Sequence, residues 1–397
     1  MRILLINERY ISGGTEVQTQ REKKALETLG YEVYLLTFDK NQPERKICGE
    51  EHWFNIPLEF GVVATFINHT FGSRKYRKQI QDIVDTIKPE FIHINNVFAV
   101  PDDVYKVVAD YPTMQTIRDY MAICPKATCI DKSRKICRGY KYGNCVPCVA
   151  FSPRYVAKYY LMNRLNKRRC AAVNNIVSPS SALANACTKN GIPVTCLNNP
   201  FDFSILKKDV PNTDSNIYMY YGKVAEIKGI RELICAFEKF HETYPEKQLW
   251  IVGDVDDSFK NEFQKLCNIK NSDFIVYKGR LANNEIMELY KKIYCVVVPS
   301  LWIENYPNTV LEALANKTLA IGTNRGGIPE LIQDDRFLFD ILDSDDIVHK
   351  LEYTATMSEK DCREVVEKAY RRVKENNTIE RYISRVLEII GQSIEQS

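Results

Sequence analysis

The sequence lacks the features that mark membrane-spanning, repetitive and nucleic-acid-binding proteins. No run approaches the roughly 18 consecutive apolar residues of a membrane-spanning helix, and no tandem repeat or low-complexity tract is present. The 54 Lys and Arg residues nearly balance the 51 Asp and Glu residues, whereas a dedicated nucleic-acid binder needs a basic excess. The first apolar stretch, Arg2–Asn7, is too short for a signal peptide. We therefore expect a cytoplasmic protein with no nucleic-acid partner.

The composition is that of an ordinary globular protein with more than one domain. Of the 397 residues, 45% are hydrophobic and 26% are charged, both close to globular averages. At roughly 150 residues a domain, two or three domains are expected. In the cytoplasm the 13 cysteines would be reduced thiols or metal ligands, because disulfides rarely persist there.

Short apolar runs alternate with longer stretches of helical periodicity along the whole chain. The candidate strands are Arg2–Asn7, Tyr31–Phe38, Phe91–Asn95, Thr113–Ile117, Ile176–Pro179, Val194–Asn198, Ile217–Gly222, Gln248–Gly253, Phe274–Gly279, Cys295–Pro299, Leu319–Gly322 and Arg336–Phe339. Apolar strands between helices indicate parallel sheets covered on both faces, and two successive series indicate two doubly wound α/β domains. The polar segment Lys207–Ser215 is typical of a linker between them.

Two glycine-containing loops are candidate anion sites. Gly13 and Gly14 follow the first strand and precede a helix, an arrangement that lets backbone amides approach a ligand closely. Lys223 and Lys228 lie five residues apart in a glycine-containing loop that begins at Gly222, so their charges could converge on a diphosphate. The alternatives are a plain turn between strand and helix and two solvated surface lysines.

A third loop carries two carboxylates close to the start of a helix. Glu304 lies in the loop, and Glu312 lies in a helix that we expect to begin near Asn308 as its N-cap. Amides at a helix start can hold a negative group, and carboxylates accept hydrogen bonds from sugar hydroxyls. The alternative for Glu312 is an ordinary exposed helical glutamate, although Leu311 and Ala313 beside it are apolar.

Glu304 and Glu312 form a Glu-x7-Glu spacing that resembles the retaining GT-B glycosyltransferases of family 4. The other matching segments, in chain order, are Gly13–Glu16, His93, Asn199–Asp202, Gly222–Gly229, Val252–Asp254, Gly279–Arg280 and Gly326–Glu330. The resemblance implies two Rossmann-like, doubly wound parallel-sheet domains facing a cleft. Residues 1–206 would form the acceptor-side domain, residues 207–376 the nucleotide-sugar-binding domain, and residues 377–397 a helix that crosses back to the first domain.

The same resemblance implies a role for each matched position. Lys223 and Lys228 would neutralise the donor diphosphate; the family usually has Arg at the position of Lys223. Glu304 would contact the donor sugar. These three are the expected catalytic residues. Glu312 would bind the ribose hydroxyls. The other expected donor-binding residues are Gly13, Gly14, Gly222, Gly279, Arg280, Tyr306, Pro307, Asn308 and Thr309. No protein nucleophile is expected, so catalysis would consist of positioning and stabilisation of the leaving diphosphate.

One segment departs from the family pattern, and another imitates the pattern of a different class of transferase. Arg118 and Asp119 are expected on the acceptor side. The family often has His before Asp-Tyr in this loop, and here Arg118 stands in place of that His. Arg118 could bind an anionic acceptor or the diphosphate. Asp254 and Asp256 imitate the Asp-x-Asp of metal-dependent transferases, but we favour a simple loop there. With two lysines on the diphosphate, we expect no cofactor to be required for catalysis.

The loop 124–148 is rich in cysteine. Cys129, Cys137, Cys145 and Cys148 are candidate ligands of a structural zinc ion, with Cys124 left over. Only Cys145 and Cys148 have the usual ligand spacing, and free thiols are the alternative.

Basic and aromatic residues are interleaved over Arg154–Arg169. This pattern suits peripheral contact with an anionic membrane surface, and equally suits a core helix with solvated basic ends.

The sequence thus predicts a retaining glycosyltransferase that moves a hexose-type sugar from a UDP- or GDP-linked donor to a glycan or lipid-linked acceptor. Its expected setting is surface polysaccharide synthesis, in the cytoplasm or at the inner face of the plasma membrane. A nucleotide-sugar epimerase of the same fold and a catalytically silent binding subunit are the alternatives. Acceptor-independent conversion of the sugar would reveal the first, and absence of turnover the second.

Overall fold

A computed structural model describes most of the chain. The described residues are 1–10, 14–45, 52–58, 71–95, 97, 100, 102–137, 145, 148, 153–206, 213, 215–268 and 273–395, with backbone alone for 153–160. Gly13, one of the predicted donor-binding residues, lies outside them, as does most of the predicted linker Lys207–Ser215.

The chain divides into two compact units. Unit 1 consists of Met1–Lys132, Ile136–Pro200 and Ile379–Ser397, and unit 2 consists of Ser133–Lys135 and Phe201–Thr378. The expected domain boundaries were 206/207 and 376/377.

Unit 1 is built on a seven-stranded sheet in the order β3-β2-β1-β4-β5-β6-β7. The strands are β1 (Arg2–Asn7), β2 (Glu32–Thr37), β3 (Trp53–Asn55), β4 (Phe91–Ile94), β5 (Thr113–Thr116), β6 (Asn175–Ser178) and β7 (Thr195–Cys196). The helices described between them are α1 (Gly14–Thr28), α2 (Arg74–Ile87), α3 (Asp103–Val108), α4 (Pro153–Ala172) and α5 (Ser181–Thr188). Each neighbouring pair of strands is parallel. In the central strand β1, Ile3 to Ile6 are fully buried, as a strand covered on both faces requires.

Unit 2 is built on a six-stranded parallel sheet in the order β10-β9-β8-β11-β12-β13. The strands are β8 (Ile217–Tyr221), β9 (Gln248–Val252), β10 (Ile275–Gly279), β11 (Cys295–Val298), β12 (Leu319–Thr323) and β13 (Leu338–Phe339). The helices described are α6 (Ile230–Thr243), α7 (Lys260–Asn268), α8 (Asn283–Leu289), α9 (Asn308–Ala315), α10 (Ile328–Ile332), α11 (Ser344–Ala355) and α12 (Glu359–Asn376).

A further helix, α13 (Ile379–Glu395), follows unit 2 in the chain but packs in unit 1. Its buried face includes Tyr382, Ile383, Val386 and Ile390, which join the same apolar cluster as residues of β1, α1 and β2. Spacings of one, three and four residues place these side chains on one side of a helix, so the periodicity of this segment explains the packing.

The predicted fold class, two parallel-sheet α/β domains, is confirmed. Two local features differ from what the sequence predicts. No strand was predicted at β3, because a three-residue edge strand gives almost no periodicity. In the predicted strand Arg336–Phe339 only the last two residues are extended: Asp335–Phe337 form a 3-10 turn, and the Asp334 side chain accepts a hydrogen bond from the Arg336 backbone N–H.

Candidate functional site

The predicted catalytic and donor-binding residues of unit 2 lie at or after the ends of strands whose carboxyl ends share one edge of the sheet. Gly222 comes directly after β8, Gly279 ends β10, and the loop containing Glu304 follows β11. Loops at this edge of a parallel sheet are the usual place for a ligand. Two hydrogen bonds, from the Leu301 and Trp302 backbone N–H groups to the Ile227 carbonyl, join the β11 loop to the β8 loop.

Lys228 and Glu304 are in direct contact. Lys228 Nζ donates to Glu304 Oε1 over 2.7 Å, and the Ser300 hydroxyl donates to the same oxygen over 2.6 Å. The ammonium group also lies 4.3 Å from the centre of the Trp302 ring, close enough for a cation–π interaction. The structure therefore joins two residues that lie 76 positions apart in the sequence. The contributions of Ser300 and Trp302 were not predicted, although both precede Glu304 in the same loop.

The Glu304 carboxyl stays ionised although it is buried. Burial tends to raise its pKa, but the Lys228 charge and the hydrogen bonds from Lys228 and Ser300 outweigh burial, so the pKa lies below its usual value. The carboxylate is thus a fixed hydrogen-bond acceptor at the sheet edge at neutral pH.

Two glycines allow the backbone around this pair to pack closely. Gly229 has a φ of 71°, and a Cβ there would lie 1.8 Å from the Pro299 carbonyl oxygen. Gly326 has a φ of 61°, and a Cβ there would lie 2.0 Å from the Glu304 carbonyl oxygen. That carbonyl also accepts a hydrogen bond from the Gly327 N–H. Only glycine fits either position, because each combines a left-handed conformation with a backbone contact.

Helix α9 begins beside the same edge. Its N-cap is Pro307 and not Asn308 as predicted, since Asn308 already belongs to the helix; Pro307 makes no side-chain capping hydrogen bond. The Thr309 hydroxyl donates to the Tyr221 carbonyl at the end of β8 over 3.1 Å. Tyr306, in the preceding loop, is buried, and its hydroxyl accepts a hydrogen bond from Asn377. The start of a helix favours an anion in front of it.

Glu312 lies one turn inside α9 and is half-buried. Burial raises the pKa of the Tyr221 hydroxyl to about 12, and the negative charge of Glu312 acts in the same direction. The fully buried Tyr290 hydroxyl has a raised pKa for the same two reasons. Glu312 is therefore half-buried with its charge acting on the Tyr221 and Tyr290 hydroxyls, which disagrees with the alternative of an ordinary exposed glutamate.

Lys223 and Arg280 are more exposed than Lys228, and each pairs with an aspartate of the β9 loop. Lys223 Nζ lies 2.5 Å from Asp256 Oδ2, and Arg280 Nη1 lies 3.3 Å from Asp254 Oδ2. The hydrogen bonds from Lys223 and from Ser258 lower the pKa of the Asp256 carboxyl to about 2. Both aspartates, singled out for their Asp-x-Asp pattern, are thus occupied by cationic side chains.

The remaining predicted site residues belong to unit 1. Gly14 is the first residue of α1. Arg118 donates to Asn95 Oδ1 and to Asn199 Oδ1, at distances of 2.9 to 3.1 Å. Asp119 accepts a hydrogen bond from the Met121 N–H and caps the 3-10 turn Tyr120–Ala122.

A buried polar network next to Arg118 was not predicted. His93 Nδ1 lies 2.6 Å from Glu22 Oε1, and His93 Nε2 lies 2.7 Å from the Thr116 hydroxyl. The Tyr382 hydroxyl, on α13, donates to the other oxygen of Glu22. His93 was matched only as a family position, and Glu22 on α1 and Tyr382 on α13, which complete the network, give no sequence signal because they are far apart in the chain.

The described cysteines of the loop 124–148 influence one another electrostatically. A hydrogen bond with Cys129 lowers the pKa of the Cys124 thiol to about 6, whereas burial and neighbouring thiols raise that of Cys145 to about 11. Among the described residues, no group of three or more His, Cys, Asp or Glu side chains is arranged to hold a metal ion. A zinc site at Cys129, Cys137, Cys145 and Cys148 stays a prediction.

The basic segment Arg154–Arg169 lies on α4. Arg164 and Lys167 are exposed, whereas Arg168 pairs with Asp102 and Arg169 is buried. Two basic residues of this helix therefore face protein, as in the alternative of a core helix with solvated basic ends. Within the described part of the chain, no helix combines the length and apolar character needed to cross a membrane.

Known proteins match both the sequence and the fold. Residues 202–372 match the family described as Glycosyl transferases group 1. An uncharacterized protein in the cps region of Klebsiella pneumoniae is 22% identical, over 89% of this chain and 94% of that protein. The uncharacterized glycosyltransferase MJ1059 of Methanocaldococcus jannaschii is 38% identical, but over 28% of this chain and only 26% of its own length. The lipopolysaccharide 1,2-N-acetylglucosaminetransferase of Salmonella typhimurium is 26% identical, over 39% of this chain and 43% of that enzyme.

A solved structure of Anabaena Alr3699/HepE in complex with UDP has the same fold, with a TM-score of 0.73 at 14% identity over 99% of this chain and 100% of that one. The same protein has also been solved in complex with UDP-glucose. The family match over most of unit 2, together with the fold, supports a glycosyltransferase of the GT-B type.

Proposed function

We propose that this protein transfers a hexose-type sugar from a nucleoside diphosphate sugar to a glycan or lipid-linked acceptor, with retention of the anomeric configuration. The observation that carries the proposal is the Lys228–Glu304 pair at the carboxyl edge of the unit 2 sheet, in which Glu304 shortly precedes α9 and its N-cap Pro307. A cation and a helix start suit a diphosphate, and a buried carboxylate suits sugar hydroxyls.

The proposed roles follow from exposure and charge. Lys228 and the more exposed Lys223 neutralise the diphosphate, which is the leaving group; Lys223 exchanges Asp256 for phosphate oxygens when the donor binds. Glu304 holds the donor sugar, and Glu312 the ribose hydroxyls. The protein supplies positioning and charge stabilisation, without a covalent intermediate or a divalent ion.

Relatives support the donor class and the setting. HepE was solved with UDP and with UDP-glucose, so UDP is the first nucleotide to test, with GDP as the alternative. The relatives from a cps region and from lipopolysaccharide synthesis support a role in surface polysaccharide synthesis. A lipid-linked acceptor would bring the enzyme to the inner face of the plasma membrane, where Arg164 and Lys167 could contact anionic lipids.

The test is calorimetric titration of the full chain with UDP and with GDP, each with and without EDTA. We expect one nucleotide to bind with a Kd that EDTA does not change. Lys223→Met and Lys228→Met should each raise the nucleotide Kd about 10- to 100-fold, because each removes one hydrogen bond between a charged side chain and the diphosphate. Lys360→Met, at an exposed lysine of α12, is the matched control and should leave the Kd unchanged.

Each contrary result removes a defined part of the proposal. If neither nucleotide binds, the donor site is wrong. If binding needs a divalent ion, Asp254 and Asp256 become its candidate ligands. Once a transfer product is found, its anomeric configuration by NMR decides between retention and inversion. Conversion of the donor sugar without any acceptor would instead identify an epimerase.

A further inference from the structure

Unit 1 contains a pocket that the proposed donor site does not use. It lies at the carboxyl ends of β4 and β5 beside α4 and is partly open to solvent. The polar lining residues are Asn95, Gln115, Thr116, Arg118, Asp119, Asn166 and Arg169.

Arg169 places a buried positive charge in this pocket. Only 7% of the residue is exposed. Its guanidinium donates to neutral acceptors, Gln115 Oε1 over 2.9 Å and Asn166 Oδ1 over 2.8 Å, and has a longer contact of 3.5 Å with the Tyr105 hydroxyl. No carboxylate among the described residues forms an ion pair with it. A buried charge without a counter-charge is costly, and a bound anion would remove that cost.

Asn95 adds a buried hydrogen-bond donor that has no partner among the residues the structure describes. The residue is fully buried, and no group of the described chain accepts a hydrogen bond from its Nδ2. The amide orientation is fixed, because Arg118 Nε and Nη2 both donate to Asn95 Oδ1, over 3.1 and 2.9 Å. A flipped amide would set two donors against each other. The free donor is therefore a property of the site.

The charges that line the pocket favour an anion. Arg118 and Arg169 contribute two guanidinium groups, and Asp119 contributes one carboxylate, whose Oδ1 accepts the Met121 N–H. Guanidinium groups only donate, and their planar fork matches carboxylate and phosphate oxygens. A neutral sugar would leave the net positive charge unbalanced.

We propose that this pocket binds the oxyanion of a small molecule, a carboxylate or a phosphate. The proposal stands on the unit 1 residues alone and does not depend on the proposed donor site.

The experiment uses the full chain with three probes: inorganic phosphate, succinate and, as the neutral comparison, glucose. Phosphate binding is followed by 31P line broadening, and succinate and glucose binding by saturation transfer from the protein. We expect one of the two anions to bind and glucose to bind at least tenfold more weakly. Whichever anion binds distinguishes a phosphorylated from a carboxylated ligand.

Two substitutions test the site, and each leaves the volume of the side chain almost unchanged. Asn95→Asp keeps the oxygen that Arg118 contacts and replaces the free donor by a negative oxygen, so anion binding should weaken at least tenfold. Gln115→Glu gives Arg169 the carboxylate that it lacks, which should weaken anion binding and raise the free energy of unfolding. Asn185→Asp, at an exposed residue of α5, makes the same charge change elsewhere in unit 1 and should alter neither quantity.

The outcomes separate this proposal from the donor site. It is supported if Asn95→Asp and Gln115→Glu lose anion binding but keep nucleotide binding. It is overturned if neither anion binds, if both variants bind anions as the parent does, or if only Lys228→Met abolishes anion binding, since the anion then occupies the diphosphate site. Failure of UDP and GDP to bind would reject the proposed donor site and leave the anion result intact.

Discussion

At the scale of single residues, the Lys228–Glu304 pair links stability to pH. Because the folded-state pKa of Glu304 lies below its usual value, the pair stabilises the fold above about pH 4.3, the usual Glu pKa. This contribution is lost as the pH falls through the lowered, folded-state pKa.

Lys228→Met should reverse that dependence. The carboxyl remains buried but loses its cation, so its pKa should rise above the usual value, and the variant should be less stable by about 3 kcal/mol at pH 7.5. The deficit should shrink at pH 5.0, where the carboxyl takes up a proton. Urea unfolding at the two pH values measures both quantities.

The double variant Lys228→Met/Glu304→Gln provides the control for this prediction. It has no buried carboxylate at this position, so its stability relative to the parent at pH 7.5 should exceed that of Lys228→Met. An equal deficit for Lys228→Met at both pH values would mean that the charge of Glu304 does not determine the effect.

The residue scale also shows which contacts a sequence can reveal. The contact between Lys228 and Glu304 joins two positions that the family resemblance had singled out. The pairing of Lys223 with Asp256 and of Arg280 with Asp254 depends on how the β8, β9 and β10 loops turn, and no pattern in the sequence encodes that. The unpartnered Asn95 donor is likewise visible only once Arg118 is placed.

At the scale of elements, the site depends on the packing of loops after the strands. Gly326 brings the start of α10 against the Glu304 carbonyl, and a Cβ there would also lie 2.7 Å from the Ile303 side chain. Gly326→Ala must therefore displace the loop that carries Glu304.

We expect Gly326→Ala to lower the free energy of unfolding by about 1–2 kcal/mol for the left-handed conformation, plus roughly 1–3 kcal/mol for the overlap. Its nucleotide Kd should rise as well. Gly30→Ala is the matched control: Gly30 has a φ of 85° and nothing within 4 Å of an added Cβ, so only the conformational cost applies. The free energies of unfolding of Gly326→Ala and Gly30→Ala are measured by urea titration. Equal losses for the two variants would rule out the overlap at Glu304.

Elements with many apolar residues were predictable, and short ones were not. Central strands such as β1 and β11 are continuous apolar runs, and their observed bounds lie at or within a residue of the predicted ones. β3 has three residues and β13 two, so neighbouring elements decide where they pair. The start of α9 was misplaced by one residue, because Pro307 and Asn308 both suit a helix start.

At the scale of the whole molecule, α13 should be an integral part of unit 1. Ile390 on this helix is 3% exposed, whereas Ile394, one turn further on, is 47% exposed. Ile390→Ala should therefore cost about 2–5 kcal/mol of stability, and Ile394→Ala less than about 0.5 kcal/mol.

Hydrogen exchange followed by mass spectrometry locates the effect. In Ile390→Ala, exchange should increase in β1, β5 and α1, which belong to the unit that α13 completes, and stay unchanged in β8 to β12. Faster exchange confined to unit 2 would contradict the assignment of α13 to unit 1.

The presence of two parallel-sheet domains could be predicted from the sequence, because two series of apolar strands alternating with helices are visible without a structure. The membership of Ser133–Lys135 in unit 2 was not predictable. Those residues lie in the cysteine-rich loop of the first series, and only their contacts assign them.

The position of α13 in the chain has a consequence for biosynthesis. A ribosome produces β1 to β7 first, then Phe201–Thr378 of unit 2, and only then the helix that packs with Leu5, Leu26 and Val33. Domains usually fold in the order of their synthesis, but here unit 2 can be complete while unit 1 still exposes an apolar face. The nascent first half of this protein is therefore the species that a chaperone would need to protect.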